Sequence, residues 1–446
     1  MTIFGILLFE KKQIPFIHMP FLVDLLLYFL LLPLWWWLGV DQILTAPFLG
    51  YELIKSLAQR SLDRTWTPAL IFALALAIWS LTSLYFTPWD KVLYVLKQSS
   101  YAWSQAILLF LLYQHIRTKQ DVDRVLLALR IFAFYFAASV LIYVLGIWRG
   151  HSVSVIGHFL PQGSGEGFVN NIRALSFGKY VDSAGAWLTM RVTGIARHPT
   201  SVHMVVFAVL PAVIGYLYSI RLQWKTAAFI LFLIVLTGLG SGIVGSVSRM
   251  AYMTSAGAIG LSALLSLRMS KQKTLLLYGS LLAASLILFI IFFNQITDFF
   301  HYFFVEYRKG SFNTRFRIYT ATWDLLKDHW LTGWGYPVRI GRHTGYSAGT
   351  HSGFLGILFF HGAVGMLLYL GILAALWKNI VTLYFKYADD RVFWGTVAGC
   401  MIAIHVSELA KGWWADQTIA LPLWLLWGII LSMPRVYQHG GRIGSA

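Results

Sequence analysis

The sequence predicts an all-α, polytopic membrane bundle of about twelve transmembrane helices with large extracytoplasmic loops. Three observations predict it. The 446-residue chain is 58% hydrophobic and only 12% charged, about half the charge of an average soluble domain. Apolar runs close to twenty residues long recur along it, the length that crosses a bilayer as a helix. Alternation with a period of two, the mark of a membrane β-barrel, is absent.

Apolar spans are expected near 20–38, 42–58, 66–87, 99–116, 125–147, 200–220, 226–246, 250–267, 274–295, 352–377, 392–409 and 417–433. The first stretch, MTIFGILLF, runs into EKK without a small-residue cleavage site and reads as a mature N-terminus. The short breaks then assign the sides. RLQWK (221–225), RMSKQK (268–273), the stretch from Lys378 to Arg391 and the tail with Arg435 and Arg442 are basic and lie at alternate breaks. RTKQDVDR (117–124) and the Arg60/Arg64 stretch share that side, and all can be cytoplasmic together. Lys11 and Lys12 join them if 20–58 is a hairpin of two spans. Residues 1–446 therefore read as a single membrane domain. Two long breaks face the other side: an outer loop over 148–199 and a larger one over 296–351.

The net charge of +17 follows in part from this positive-inside bias. The basic residues are scattered among spans and form no basic domain, so nucleic acid is not an expected partner. The single cysteine, Cys400, excludes an intramolecular disulfide and a cysteine metal site. No GxxxxGK[ST], GxSxG or HExxH pattern is present. Asp324 and Asp328 are one turn apart, but without further acids nearby they read as a solvated face. No metal or cofactor is expected.

What stands out is arginine on the outer side, where it should be scarce. Arg191 and Arg197 lie in RVTGIARHPTS, Arg249 in SVSRMAY, and Arg315 and Arg317 in NTRFRIYTATW; Arg339 and Arg342 follow. Charge at a membrane edge is costly and is usually kept for function. A guanidinium pairs bidentately with phosphate oxygens, so arginines converging from separate loops suggest an anionic group held just outside the membrane. For Arg339 and Arg342 the plainer reading is a headgroup contact or a carboxylate partner.

The segment 311–329 is expected to be an interfacial helix, capped by Ser311 or Asn313 and ended by GWG and Pro337. Phe312, Phe316, Tyr319, Trp323, Leu326 and Trp330 would form its apolar stripe, and Arg315 and Tyr319 share a face. His351 marks the mouth of the next span, among Ser347, Gly349, Thr350, Ser352 and Gly353. A histidine there can accept a proton from a hydroxyl, or merely cap the span. Glu306 is a second possible base in the same loop. His361 and His405 read as buried, satisfied side chains, and His198 as a cap for the span it precedes.

RVTGIARHPT (191–200), SRMAY (248–252), TRFRIYTATWDLLKDHWLTGWG (314–335) and THSGFLGILFFHGAVG (350–365) occur in this order. Together they resemble the O-antigen ligase and polymerase superfamily of bacterial membrane glycosyltransferases. The resemblance spans roughly 190–380; the first 180 residues match only as generic spans. It implies a GT-C-like fold of about twelve helices in the bacterial cytoplasmic membrane, with the site on the outer face. It implies a donor glycan on undecaprenyl diphosphate and metal-independent, inverting transfer. The acceptor would be a second lipid-linked glycan for a polymerase, or a lipid A core for a ligase. The family's arginines map onto Arg191, Arg249 and Arg315, and its histidine onto His351. Arg249 and Arg315 would then hold the diphosphate, Arg191 would support it, Arg197 and Arg317 would be lesser contributors, and Tyr319 would orient Arg315. Many members carry His-Asn where this chain has His351-Ser352; the His-Ser form points towards a polymerase. A transporter of an anion or lipid-linked sugar is the alternative of another class, though its site would be expected near the midplane. A structural scaffold would leave the outer arginines without a role.

Overall fold

The computed structural model describes residues 20–41, 43–59, 61–63, 65–148, 152–160, 174–175, 178–183, 187–196, 198–219, 227–246, 248–267, 271–302, 309–340, 347–412 and 417–439. These are mostly helical, as expected. In order, the first helices are α1 (Phe21–Leu30), α2 (Leu32–Leu38), α3 (Thr45–Ala58), α4 (Pro68–Trp79), α5 (Val92–His115) and α6 (Lys119–Val144). Pro33 sits in the first turn of α2 and cannot continue α1, so the two meet at a 55° bend. Lys55 of α3 bonds both Asp24 of α1 and Glu52, closing the first hairpin.

The connection after α6 carries two short antiparallel pairs. β1 (Ser152–Val153) pairs with β2 (Ala174–Leu175), and β3 (Gly178–Ser183) with β4 (Trp187–Val192). The membrane part resumes with α7 (Val202–Ser219), α8 (Ala227–Gly245), α9 (Arg249–Ser266), α10 (Lys271–Ile291) and α11 (Phe293–Phe300). Next comes α12 (Lys309–Leu326), and the last helices are α13 (Gly353–Lys386), α14 (Arg391–Glu408) and α15 (Gln417–Gln438). The core runs along α15, where Trp424, Leu425, Leu426 and Trp427 are fully buried.

Among the described residues, five helices are long and apolar enough to cross a membrane, or six if the bent α1–α2 pair is one span. About twelve were expected. The apolar part of α7, Val202–Tyr216, is short, and α9 and α14 are 18 residues each with Arg249, Arg391 and Glu408 at their ends. Arg117 pairs with Asp63 at 2.8 Å, and Arg435 donates to the carbonyls of Tyr113 and Ile116. The 60s stretch, the 117–124 break and the end of α15 therefore meet at one end of the bundle.

At the other end α13 is broken. Gly362 has φ 67° and ψ −171° inside an otherwise continuous helix. The break opens backbone groups that lipid could not satisfy, and the segment that follows α12 fills it. The Trp334 amide donates to the Phe359 carbonyl at 2.8 Å and the Gly335 amide to Phe360 at 3.1 Å, while the Ala363 amide donates to the Trp330 carbonyl at 2.8 Å. The Trp79 indole donates to the His361 carbonyl at 2.8 Å. A Cβ on Gly362 would lie 2.0 Å from the Leu331 oxygen, and one on Gly333 would lie 2.5 Å from the His361 nitrogen. The span expected over 352–377 is thus a short first segment joined through an interlock to a long second one.

Both glycines also have positive φ, so Gly362→Ala and Gly333→Ala should each cost about 1–3 kcal/mol in backbone strain alone, with the clash added. Thermal unfolding of purified protein in detergent checks this. A lowered midpoint is expected for both variants, and an unchanged midpoint for either would contradict the interlock.

Candidate active site

Among the described residues the helix α12 begins at Lys309, so Ser311 and Asn313 lie inside it and not at its start. The apolar stripe expected along it is also divided. Ile318, Thr322 and Leu326 are buried, whereas Phe316, Trp323 and Trp330 are exposed. The helix docks through a narrow inward face that mixes apolar and hydroxyl side chains. Tyr319 donates from its hydroxyl to the His351 carbonyl at 2.8 Å and approaches the Leu409 carbonyl at 3.4 Å. The Thr322 hydroxyl accepts from the Gly349 amide at 3.0 Å and donates to the Ile318 carbonyl at 2.6 Å. One turn before Tyr319, Arg315 is half-buried at the same place.

His351 is therefore gripped through its backbone. It is the one non-glycine with positive φ (67°) among the described residues, a conformation that costs energy unless neighbours enforce it. Ser352 enforces it from the other side. Its hydroxyl caps α13 by accepting from the Leu355 amide at 3.2 Å and donates to the Glu408 carbonyl at 3.1 Å. The last turn of α14 is the second wall: a Cβ on Gly353 would touch the Glu408 side chain at 3.1 Å, and one on Gly412 would touch the Ser352 carbonyl oxygen at 3.5 Å. The Glu408 carboxylate is buried, taking the Tyr369 hydroxyl at 2.8 Å and facing His405 Nδ1 at 3.3 Å.

Burial, then Lys411, then Arg315 push the His351 imidazole down from its ordinary value to about 4. At neutral pH it is uncharged and can accept a proton. Burial raises the Tyr319 phenol, against the pull of Arg315.

Arg315, Tyr319 and His351 thus come together. Arg249 opens α9, half-buried behind the Ser248 cap. α9 and α14 pack closely, with Gly395 against Leu265 and Gly399 against Ala258 and Ser262. This antiparallel register brings Arg249 to the end of α14 that carries Glu408 and Lys411. Arg191, at the end of β4, is buried and donates from Nε to the Ser246 carbonyl at 2.5 Å. It braces the α8–α9 turn from which Arg249 emerges. Arg317 does not join them: it is exposed, two residues and so about 200° around the helix from Arg315. Arg197, Glu306 and Arg342 lie outside the described residues. His198 bonds Thr200 at 2.8 Å and makes no side-chain cap, and Asp324 pairs with Lys327 at 2.8 Å on the exposed face.

Sequence reasoning missed Lys411. The signal was available, because Lys411 lies between the spans expected at 392–409 and 417–433, a break that the expected sides put with Arg249 where the charge rule disfavours lysine.

Residues 234–370 match the O-antigen ligase family. No curated protein matches the chain. The resemblance to the O-antigen ligase and polymerase superfamily holds over that segment, and it supports a membrane enzyme of the O-antigen ligase or polymerase type acting on lipid-linked glycans. Arg249, Glu306, Arg315, Arg317, Tyr319 and His351 fall inside the O-antigen ligase segment, whereas Arg191, Arg197 and Lys411 fall outside it.

Tyr319→Phe removes the one side chain that ties α12 to both His351 and Leu409. It should cost about 0.5–1.5 kcal/mol, the net worth of a part-buried hydrogen bond, and speed amide exchange at 351–353. Hydrogen exchange read by mass spectrometry checks this, and unchanged protection there would contradict the clamp.

Proposed function

We propose that this chain is a metal-independent, inverting glycosyltransferase of the bacterial cytoplasmic membrane. It moves a glycan from undecaprenyl diphosphate to an acceptor hydroxyl on the outer face. The whole chain is one membrane domain of about twelve spans, with outer loops over 148–199 and 296–351 carrying the site. The observation that carries this reading is the convergence of Arg315 and Tyr319 with a neutral His351 at the outer end of the bundle.

Glycosyl transfer breaks the bond between the anomeric carbon and a phosphate oxygen, and the electron pair leaves on the diphosphate. Arg315 and Arg249 neutralise that growing charge. Arg191 acts at one remove, by holding the α8–α9 turn. The acceptor oxygen attacks the opposite face of the anomeric carbon, and its proton passes to His351. The diphosphate linkage supplies the free energy, so no nucleotide is required.

The acceptor assigned first is a second lipid-linked glycan, which makes the enzyme a polymerase, on the His351-Ser352 pair. Transfer to a lipid A core is the second reading, favoured by the description of the matched family and by the structural duty of Ser352 as a helix cap.

The test uses purified protein, a synthetic undecaprenyl-diphosphate repeat unit, no metal and no nucleotide, with products resolved by size. A ladder of lengthened lipid-linked glycans is expected, falling by about 10²-fold or more in His351→Ala and in Arg315→Ala. Product only after adding lipid A core would make the enzyme a ligase. No product with either acceptor, from folded protein and intact donor, would overturn the proposal.

A further inference from the structure

The two arms of α13 fold back on each other. Phe354 precedes the break at Gly362 and Tyr369 follows it. On an unbroken helix the two would stand about 22 Å apart. Their ring centroids lie 6.0 Å apart, edge to face. The arm that begins at Gly353 therefore runs beside the arm that carries Tyr369, and His351 sits at the far end of the first.

The interlock with residues 330–335 ties these arms near the break and not at their far ends. Glu408 reaches both arms there. Its carbonyl accepts from the Ser352 hydroxyl at 3.1 Å, and its carboxylate accepts from the Tyr369 hydroxyl at 2.8 Å. Its Cβ and Cγ lie so close to Gly353 that an added Cβ would meet them at 3.1 and 3.2 Å. His405 Nδ1, one turn back in α14, faces the second carboxylate oxygen at 3.3 Å. The Glu408 side chain is fully buried. An ionisable group buried in a membrane bundle is costly and is usually kept for a function.

We infer that Glu408 is a positioning residue for His351: it clasps the folded arms of α13 and so fixes the backbone that carries the imidazole. The chain of contacts is short. Tyr369 holds the carboxylate, the Glu408 carbonyl holds Ser352, and Ser352 adjoins His351. Tyr369 in turn packs against Trp427 of α15, with ring centroids 6.5 Å apart, so the clasp is seated on the core. Glu408 touches no substrate and exchanges no proton. The inference takes its reaction from the glycosyl transfer proposed above, whereas the clasp belongs to the fold alone. Loosening it leaves the donor contacts assigned to Arg315 and Arg249 in place and shifts the base relative to the acceptor oxygen. A misplacement of about 1 Å costs about 10²-fold in rate.

The experiment compares parent, Glu408→Leu, Glu408→Gln and Tyr369→Phe as full-length protein in detergent. Titration with sugar-free undecaprenyl diphosphate counts donor-binding sites, and kcat is expressed per site, so unfolded protein does not enter it. Glu408→Leu keeps the volume and removes both acceptor oxygens. Its kcat should fall about 10²-fold, with the donor KM within about threefold of the parent. Glu408→Gln still offers an oxygen to the Tyr369 hydroxyl and should recover about tenfold of that loss. Tyr369→Phe, the milder change, should also lower kcat per site, and it carries the test if Glu408→Leu does not fold. Combined with Glu408→Leu it should add little, because both remove one contact. Parent-like kcat in Glu408→Leu and Tyr369→Phe, a loss carried by the donor KM, or equal loss in Glu408→Gln and Glu408→Leu would overturn the inference. Amide exchange at 352–356, read without transfer, should quicken about fivefold in Glu408→Leu and Tyr369→Phe. Faster exchange in a protein that transfers no glycan would leave the clasp standing and sink the proposed reaction. Unchanged exchange would overturn the clasp whatever the activity.

Discussion

The break in α13 at Gly362, filled by the backbone of residues 330–335, is the constraint on which the rest of the outer end depends. A helix interrupted at membrane depth must find partners for its freed amides and carbonyls. Here they come from the segment leading out of α12. The exchange does two things at once. It satisfies the broken helix, and it fixes α12 against the short outer piece of α13. Trp334 strengthens the joint by donating to the Leu325 carbonyl at 2.9 Å, and His329 stacks on Phe86 from the α4–α5 connection. Arg315 and Tyr319 on one element and His351 on the other then have little freedom to separate.

The site assembled in this way is electrostatically unusual. Arg315 and Lys411 act on a buried histidine, and the Glu408 carboxylate of the adjoining turn is engaged by Tyr369 and His405. In the proposed reaction a diphosphate meets these cations. The same logic separates contact from support. Arg315 and Lys411 act on His351 directly, Arg191 is committed to a backbone carbonyl, and Arg317 faces away. The left-handed backbone at His351, enforced by Tyr319 on one side and Ser352 on the other, places a strained residue where the chemistry is proposed.

Much of this was legible in the sequence. Apolar run length gave the helices, and the basic breaks predicted which connections meet, as Arg117, Asp63 and Arg435 do at one end. The residues singled out as outer arginines and a histidine at a span mouth include Arg315 and His351, which the fold brings together. Four features were hidden for physical reasons. The break at Gly362 lies in an apolar run whose composition is that of a continuous span, and its partner is thirty residues away. The aromatic residues of α12 have helical spacing, but its docking face is set by the 347–352 turn, so Thr322 is buried while Trp323 is not. Lys411 comes near His351 only because α14 packs beside α13. Arg315 and Arg317 look equivalent in a string and lie on different faces of a helix.

The most direct measurement of the central claim is a structure of the protein in a lipid nanodisc with an unreactive undecaprenyl-diphosphate glycan, its anomeric oxygen replaced by carbon. The account predicts the diphosphate within hydrogen-bonding distance of Arg315 and Arg249, with the anomeric carbon facing His351. A diphosphate bound elsewhere, with His351 against lipid or apolar side chains, would contradict it.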